Sequence, residues 1–576
     1  MENTFISQSP KSRTRSATIF GGINRASGLP LGEWDTLQDM DLTAYPALRT
    51  CLPYSFSNLP AGITGFTFRN GQIVYTVSDG IYIGGKKIAL DGISAGEKTL
   101  VSMGAYIVIL PDWIVVNASD SKKPVITAKG TSLTGNLFEY NQNQTYPTVS
   151  IYKLFYIDVP EPDVTASGLA VGDTVKLTWS VYNKSYSKQV TITSIDTEAY
   201  TGEGMISINF DVTEFPNTQY FYTLKKAMDR FYVPRIVGAT IQRVSPKLDY
   251  VVEYNNRLWG CSSKAHEIYC SKLGDPLTWG DFSGISTDSW TATVGTDGDF
   301  TGACVYNGCV LFFKEDCVHS VYGTKASNFT VTTYTVRGVQ KGSSKSLCIS
   351  EGLLYYKAPE GIFTFNGSAS SRADGKLSCD ITRTAVGTAD DRFIVMLMDD
   401  GKAYYYDKLH SAWYTRKLSD AVSAHNINGK LYAVTKDRNG VMHQVLLAGV
   451  SSMGKRQAVT TFEAVSGELC RGEAFTVIRK LRMSLEKWQE TEKSATEIAL
   501  SVQYDGGDWQ TIFEDTGADT DNAIAIVPII PMRCQRLRIR ISGKLTVSES
   551  ASDMPYLSLY GIYMDTEEAS EIGGKH

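Results

Sequence analysis

The sequence contains no long apolar run and no excess of basic residues. Its most apolar stretches, YIVILPDWIVV from Tyr106 and AIAIVPIIPM from Ala523, are broken by proline or aspartate and fall short of the roughly 20 residues that a membrane-spanning helix needs. The N-terminal MENTFISQSPKSRTRS is polar and lacks the apolar core of a signal peptide. The formal net charge of −5 argues against a general nucleic-acid-binding protein, because phosphate contacts call for a basic surface. We therefore expect a folded, soluble chain that does not span a membrane.

Signatures of catalysis are scarce as well. The chain has only 6 His, the last of which is the final residue, so acid–base chemistry would depend on carboxylates, and no pair stands out. No phosphate-binding G-x-x-x-x-G-K-[ST] motif is present. GISAG, residues 92–96, matches G-x-S-x-G, but a nucleophile elbow needs a strand before it and a helix after it, and here another strand follows. We predict that the protein is not an enzyme and uses no cofactor.

The cysteines are dispersed rather than clustered. Small secreted domains concentrate theirs in a disulfide framework, whereas the 10 Cys here are spread over 576 residues. This distribution favours reduced, mostly buried thiols in a protein made in a cytoplasm.

Aromatic residues and glycine are abundant. With 32 Tyr, 22 Phe and 50 Gly, the composition favours half-buried pleated strands joined by tight turns. Convincing helical periodicity is almost absent. We expect a mainly β protein.

A hairpin plan recurs along the chain: a turn pair, a short apolar strand, a second turn and another strand. The leading turns of the last five copies lie 38 to 52 residues apart, close to the roughly 40–50 residues of a four-stranded propeller blade. Asn-Gly and Asp-Gly pairs supply the positive φ that tight hairpin turns require. The six clear copies begin at Phe68, Tyr254, Tyr306, Ser350, Asp390 and Ile427.

These patterns predict a multi-domain β-propeller of six or seven blades with an inserted small β-barrel or sandwich and a C-terminal β-sandwich. Alternating apolar residues in GLAVGDTVKLTWSVYNKSYSKQVTITSI mark the insertion, and period-2 strands after about residue 452 mark the sandwich. The predicted segments are an N-terminal arm and docking segment, 1–50; the first part of the propeller, 51–125; the inserted domain, 126–234; the rest of the propeller, 235–451; the sandwich, 452–566; and a mobile tail, 567–576.

Two groups of residues have the composition of a metal site. HEIYC, from His266 to Cys270, is similar to a zinc-protease motif, but cysteine occupies the place of the second histidine and the local alternation indicates a strand. A second group lacks the spacing of a zinc knuckle and spans a hairpin. We interpret both as ordinary blade hairpins and predict no metal site. The second group consists of Cys304, Cys309, Cys317 and His319.

Two rows of basic residues are candidate docking surfaces. Each row is either a solvated face or tail, or a surface that binds an acidic neighbouring subunit, since Arg suits paired contacts with carboxylates. We favour docking for the arm, because the segment after it is too structured in composition to be a linker. The arm row is Lys11, Arg13 and Arg15. The row on a C-terminal strand, whose other face is apolar, is Arg536, Arg538 and Arg540.

Several segments resemble one protein family. FGGINRASG from Phe20, DTLQDMDLTAYPALRT from Asp35, NRLWGCSS and IYCSKLGDPLTW within 256–279, and RGVQKGSSKSL from Arg337 are similar to the packaged-DNA stabilisation, or tail nozzle, proteins of short-tailed bacteriophages. The resemblance covers most of the chain as layout, although only these segments match as motifs.

The resemblance implies a structural virion protein of the tail, assembled in the host bacterial cytoplasm. Such proteins form a ring, usually a hexamer, below the portal and adaptor rings, extend the channel for double-stranded DNA and help to retain the genome until ejection. DNA would pass without sequence-specific binding, and the net negative charge suggests a lumen that repels it. The nearest alternative is a receptor- or glycan-binding tail or baseplate protein. A secreted propeller hydrolase is more distant, since it would need a signal peptide and a carboxylate cluster.

Overall fold

The computed structural model describes most of the chain, and Lys11 and the end of the predicted tail lie outside the described residues. Those are 12–26, 29–119, 125–127, 133–141, 153–160, 169, 171, 173–181, 184–196, 205–210, 235–280, 282, 284–377, 383–418, 420–449, 455–470, 476–489, 493–516, 524–527, 529, 531–548, 551 and 553–568.

The regular structure of the described residues is almost entirely β. The N-terminal segment holds β1 (Ser12–Ala17), β2 (Trp34–Gln38), β3 (Met40–Asp41), β4 (Leu48–Thr50) and β5 (Ser55–Asn58). There follow β6 (Gly65–Arg69), β7 (Gln72–Val77), β8 (Gly80–Ile83), β9 (Lys86–Ala89), β10 (Thr99–Met103), β11 (Tyr106–Leu110), β12 (Ile114–Asn117) and β13 (Val125–Thr127). The insertion holds β14 (Leu133–Asn141), β15 (Lys153–Pro160), β16 (Thr174–Val181), β17 (Lys184–Asp196), β18 (Met205–Phe210) and β19 (Arg235–Arg243).

The remaining strands run from residue 250 to residue 568. The first are β20 (Tyr250–Tyr254), β21 (Arg257–Ser262), β22 (Glu267–Cys270), β23 (Trp290–Thr293), β24 (Gly302–Tyr306), β25 (Cys309–Phe313), β26 (Cys317–Tyr322) and β27 (Thr330–Thr335). Next come β28 (Cys348–Ser350), β29 (Leu353–Ala358), β30 (Gly361–Phe365), β31 (Ser370–Arg372), β32 (Ala385–Ala389), β33 (Phe393–Met398), β34 (Lys402–Asp407), β35 (Ala412–Lys417), β36 (Ala421–Ile427), β37 (Lys430–Lys436) and β38 (Met442–Leu446). The last are β39 (Lys455–Arg456), β40 (Val459–Ser466), β41 (Thr476–Trp488), β42 (Ser494–Tyr504), β43 (Gln510–Asp515), β44 (Ile524–Val527), β45 (Arg533–Cys534), β46 (Leu537–Val547) and β47 (Tyr556–Glu568).

Helical structure in the described residues is limited to two short 3₁₀ segments, Ala326–Asn328 and Ser344–Ser346. Within this part of the chain no helix is long and apolar enough to cross a membrane.

The chain divides into two compact units. Unit 1 comprises Met1–Ala61 and Arg337–His576, and unit 2 comprises Gly62–Val336.

Unit 2 contains four antiparallel, four-stranded blades: blade 1 (β6–β9), blade 2 (β10–β13), blade 3 (β20–β23) and blade 4 (β24–β27). The first strands of successive blades lie against each other in the order β6, β10, β20, β24. Apolar side chains fill the space between neighbouring blades, as Ile81 and Ile107 do between blades 1 and 2. Blade 3 therefore follows blade 2 in space, although the insertion separates them in sequence.

The insertion in unit 2 is a closed barrel. Its six strands pair in the order β14, β15, β18, β17, β16, β19. Alternate residues point inward and form an apolar core that includes Leu137, Ile157 and Leu177. The last barrel strand ends at Arg243, so the barrel extends past residue 234.

Unit 1 contains three further blades. Blade 5 is β28–β31 and blade 6 is β32–β35. Blade 7 takes only β36–β38 from its own stretch of sequence, and β5 of the N-terminal segment completes it, with Phe56 opposite Val445. The described residues thus form seven blades, and blade 7 depends on a strand from the N-terminal segment.

The C-terminal strands of unit 1 build two sheets around one core. The first sheet has β40, β46, β42 and β43, and the second has β41 and β47 at its centre. Buried residues of both sheets, such as Ile539 and Met483, belong to the same apolar cluster. The predicted fold class, a mainly β protein with propeller blades, an inserted barrel and a C-terminal sandwich, is confirmed.

Candidate functional site

The N-terminal segment is part of the sheets of unit 1 rather than a separate arm. Strand β2 lies parallel to β35 of blade 6 and antiparallel to β40 of the sandwich, which makes one continuous nine-stranded sheet. Strands β1 and β4 both pair with β47, and β5 completes blade 7. The segment therefore joins the sandwich to two blades.

A buried ion pair anchors this segment to blade 6. Arg416 Nε lies 3.2 Å from Asp39 Oδ1, and the two side chains are 6% and 3% exposed. A second guanidinium nitrogen of Arg416 donates to the carbonyl of Leu52 at 2.6 Å. The guanidinium also lies over the ring of Tyr54, 3.7 Å from its centroid. Three residues of the N-terminal segment, Asp39, Leu52 and Tyr54, thus contact the same arginine.

The electrostatics of this anchor follow from its burial. Burial raises the pKa of the Asp39 carboxyl, and the attraction of Arg416 opposes that rise. Burial also raises the pKa of the Tyr54 phenol, whose hydroxyl lies 3.2 Å from that of Tyr405. A charge held in such surroundings is costly to leave unpaired. The anchor therefore resists separation of the segment from the blade.

Arg13 and Arg15 are in strand β1, on the edge of the second sandwich sheet. They lie opposite Thr566 and Met564 of β47, and β1 ends at the buried Ala17. Arg13 is exposed and Arg15 is half-buried. Lys11 lies outside the described residues. Docking through this row stays a prediction, but the strand that would carry it is held in a sheet.

The second basic row, Arg536 just before β46 and Arg538 and Arg540 within it, makes contacts inside unit 1. Arg536 lies 3.5 Å from a carboxylate oxygen of Glu468, and Arg538 lies 2.7 Å from Asp35 Oδ2 in β2. Arg540 lies over the ring of Trp509, 4.6 Å from its centroid. The Arg538 contact joins the sandwich to the N-terminal segment, and the other two lie within the sandwich. Neither sequence interpretation included these internal roles. Docking onto an acidic neighbour through the exposed parts of these side chains remains untested.

The four residues of the second group with the composition of a metal site lie on β24–β26 of blade 4. Each ring nitrogen of the buried His319 is within hydrogen-bond distance of a hydroxyl, Thr296 Oγ1 at 2.9 Å and Thr333 Oγ1 at 2.8 Å. Cys317 Sγ is 3.9 Å from the same ring. In the described part of the chain, no three His, Cys, Asp or Glu side chains are grouped as ligands of a metal ion. Burial lowers the pKa of His319 to about 4, so the ring is neutral at pH 7.

The stretch from Tyr254 to Trp279 forms β21, β22 and the loop after them. His266 lies in the turn between these strands, at φ 55°, rather than on a helix. Burial raises the pKa of the Cys270 thiol to about 12. Arg257 donates to the carbonyls of Ser271 and Asp288 at 2.8 and 2.6 Å. The arginine thereby fixes the loop that follows β22, and the stretch is a blade hairpin, as the alternation predicts.

GISAG lies in the loop between β9 and β10, with no helix after it. The Ser94 hydroxyl lies 2.5 Å from Asp112 Oδ1 and accepts a hydrogen bond from Lys98 Nζ at 2.7 Å. Lys98 and Asp112 form a buried ion pair at 2.9 Å. An ammonium paired in this way cannot act as the general base that a serine nucleophile needs. The network holds the loop to β11 and β12.

The fold thus defines a mainly β protein of propeller blades, a closed barrel and a sandwich, with its N-terminal segment built into unit 1. Neither a protein-family model nor a curated protein matches the sequence. Among solved structures, it is similar to BamB from Moraxella catarrhalis, with 11% identity and a TM-score of 0.33 over 69% of this chain and 99% of that one. It is also similar to Sqt1 from Saccharomyces cerevisiae, with 10% identity and a TM-score of 0.34 over 69% of this chain and 100% of that one. The fold class rests on the strand pairing itself.

Proposed function

We propose that this protein is a structural component of a bacteriophage tail. Six copies would form a ring, or nozzle, below the portal and adaptor, extend the DNA channel and help to retain the packaged genome until ejection. The protein would act by assembly rather than by catalysis.

The observation that carries the proposal is the construction of the N-terminal segment. DTLQDMDLTAYPALRT, one of the motifs on which the family resemblance depends, supplies most of β2 and all of β3 and β4, together with Asp39 of the Arg416 anchor. Ile23 of FGGINRASG forms an isolated bridge with Trp34 of β2. Strand β1 precedes them and presents Arg13 and Arg15 from a fixed edge. A docking strand that is already ordered loses less conformational freedom on binding than a flexible arm would.

Immunogold labelling of virions with antibodies against this chain tests the location. We expect gold at the tail, directly below the portal vertex. Label at the tips of fibres would favour the alternative, a receptor- or glycan-binding tail or baseplate protein. Absence of the chain from purified virions would refute both.

A further inference from the structure

A cleft of about 740 Å³ opens in unit 1 between blades 6 and 7. That volume falls within the range of about 300–1,000 Å³ that is usual for small-molecule sites. Its wall is formed by the turn between β33 and β34, the end of β35, the turn between β37 and β38, and strand β5. Its inner surface includes the half-buried Phe56 and Leu418 and the buried Val445.

The rim of the cleft carries four cations and three carboxylates. The cations are Lys402, Lys417, Lys436 and Arg438, and the carboxylates are Asp400, Asp420 and Asp437. All four cationic side chains are exposed.

Two of the carboxylates, Asp437 and Asp400, accept hydrogen bonds from backbone amides of the turns in which they lie. Asp437 accepts hydrogen bonds from the amides of Asn439 and Val441 at 2.9 and 2.8 Å. Its other oxygen lies 3.4 Å from His443 Nε2. Asp400 accepts from the amide of Lys402 at 3.0 Å. These contacts reduce the number of acceptor positions that the two carboxylates can offer to a ligand.

By contrast, two cations at the turn between β37 and β38, Lys436 and Arg438, are available to bind a ligand. Among the described residues, neither the Lys436 ammonium nor the Arg438 guanidinium has a hydrogen-bond or ion-pair partner. Arg438 presents five donors in a planar fork that matches a carboxylate or sulfate group. The unmatched hydrogen-bond donors of the cleft are therefore cationic, and the ring of Phe56 lines the same cleft.

The backbone around the cleft disfavours one kind of anionic partner, an acidic peptide that adds as a strand. Strands β34, β35, β37, β38 and β5 are each paired on both sides. The pairing of β35 with β2 is limited to Thr415, and that of β5 with β39 to Ser55 and Phe56. Little free edge is therefore left to which an acidic peptide could add as a further strand, the usual way for an extended peptide to gain main-chain hydrogen bonds. A compact ligand with its own rings and acidic groups fits this wall better.

We propose that the cleft binds an acidic saccharide. A carboxylate or sulfate group of the ligand binds Lys436 and Arg438, and the apolar face of a sugar ring packs on Phe56. This inference does not depend on the tail role, because the cleft lies within unit 1 and needs no neighbouring copy.

Titration calorimetry on the full chain tests the site with a tetragalacturonate probe, maltotetraose as the neutral saccharide and pentaglutamate as the acidic peptide. We expect saturable binding of tetragalacturonate, weakened by salt, and no comparable binding of the other two. Lys436→Glu and Arg438→Glu should each weaken it by roughly tenfold or more, because each removes a charge-assisted hydrogen bond. Lys430→Glu, an exposed lysine at the opposite end of β37, is the matched control and should leave the affinity unchanged.

Three results would overturn the proposal. Equal binding of maltotetraose would remove the role of charge, and preferential binding of pentaglutamate would identify a peptide site. Tetragalacturonate binding that Lys436→Glu and Arg438→Glu leave intact, or no binding at millimolar ligand, would exclude this cleft. Thermal melting of each variant confirms that the fold is retained.

Discussion

The guanidinium of Arg416, at the end of strand β35, pairs with the carboxylate of Asp39 across 3.2 Å in the interior of unit 1. The two residues lie 377 positions apart in sequence. The pair connects the N-terminal segment to blade 6, whose strands lie between residues 385 and 417. Because the same segment supplies β5 to blade 7, the beginning of the chain stabilises two blades at once.

Replacement of Arg416 tests this anchor. We expect Arg416→Met to lower the free energy of unfolding of unit 1 by about 3–5 kcal/mol, because Asp39 would remain buried without its partner. Asp39→Asn in the same chain should recover part of the loss. Urea unfolding followed by tryptophan fluorescence measures both.

Arg383→Met is the matched control for the anchor. Its ion pair with Asp399 is 3.7 Å long and about half exposed, so its loss should cost less than about 1 kcal/mol. Equal effects of the Arg416 and Arg383 replacements would contradict the anchoring role.

The hairpins could be predicted from sequence because their turns are local. Asn70, Asn307, Glu351 and Asn428 all adopt φ values of 46–52°, and a glycine at positive φ follows each. Positive φ at both central residues is what the turn of a two-residue hairpin requires. Strand β5 could not be found in this way, because Ser55–Asn58 is short and its pairing partner lies almost 400 residues away. Pairing between distant strands leaves no periodic signal in one sequence.

A buried ion pair in unit 2 allows a second test. Lys98 and Asp112 are 1% and 4% exposed, whereas Lys87 and Asp79 form a surface pair that is 38% and 68% exposed. We predict that Lys98→Met lowers the free energy of unfolding by about 3–5 kcal/mol. Lys87→Met, which removes an exposed partner, should change the urea midpoint little. The prediction fails if the two replacements have similar effects.

The acid stability of unit 2 should depend on His319. Burial and then Lys314 lower its pKa to about 4, against a small opposing effect of Asp316. Because the unfolded chain takes up this proton near pH 6.5, stability falls as the pH drops from about 6.5 to about 4. The loss between pH 7 and pH 4.5 should be about 2 kcal/mol, and His319→Gln should abolish that component.

His266→Asn provides the comparison for the acid test, since His266 is exposed in a turn of the same unit. Urea denaturation at the two pH values measures each variant. If His266→Asn reduces the pH dependence as much as His319→Gln does, the buried histidine is not its source.

The basic strand β1 yields a prediction about assembly. Arg13→Glu with Arg15→Glu should prevent attachment to the neighbouring ring while the fold is kept, because both side chains lie at a sheet edge. Deletion of residues 1–20 is less informative, since it would also remove the buried Ala17 and Phe20. Cosedimentation with portal and adaptor rings measures attachment.

The control for the attachment test changes the same amount of charge elsewhere in unit 1. Lys430→Glu with Arg438→Glu reverses two exposed residues of blade 7 and its turn and should leave attachment intact. Attachment that survives the Arg13 and Arg15 reversals would exclude β1 as the docking strand.

For the arginines of β46, the sequence predicted the face of the strand but not the contact partners. Alternation placed Arg538 and Arg540 on the polar face of a strand, and the structure agrees. Their partners Asp35 and Trp509 could not be identified, because they reach the same sheet from distant stretches of sequence. The sequence did not predict the buried ion pair of Asp39 and Arg416 either, because an isolated charged residue is far more often exposed than buried.

The most direct test of the ring proposal is the mass of the complex that the purified chain forms with portal and adaptor rings, measured by native mass spectrometry. We expect six added copies that assemble only when the adaptor is present. A stable trimer in solution, or a monomer that binds neither ring, would contradict it and favour a receptor-binding role.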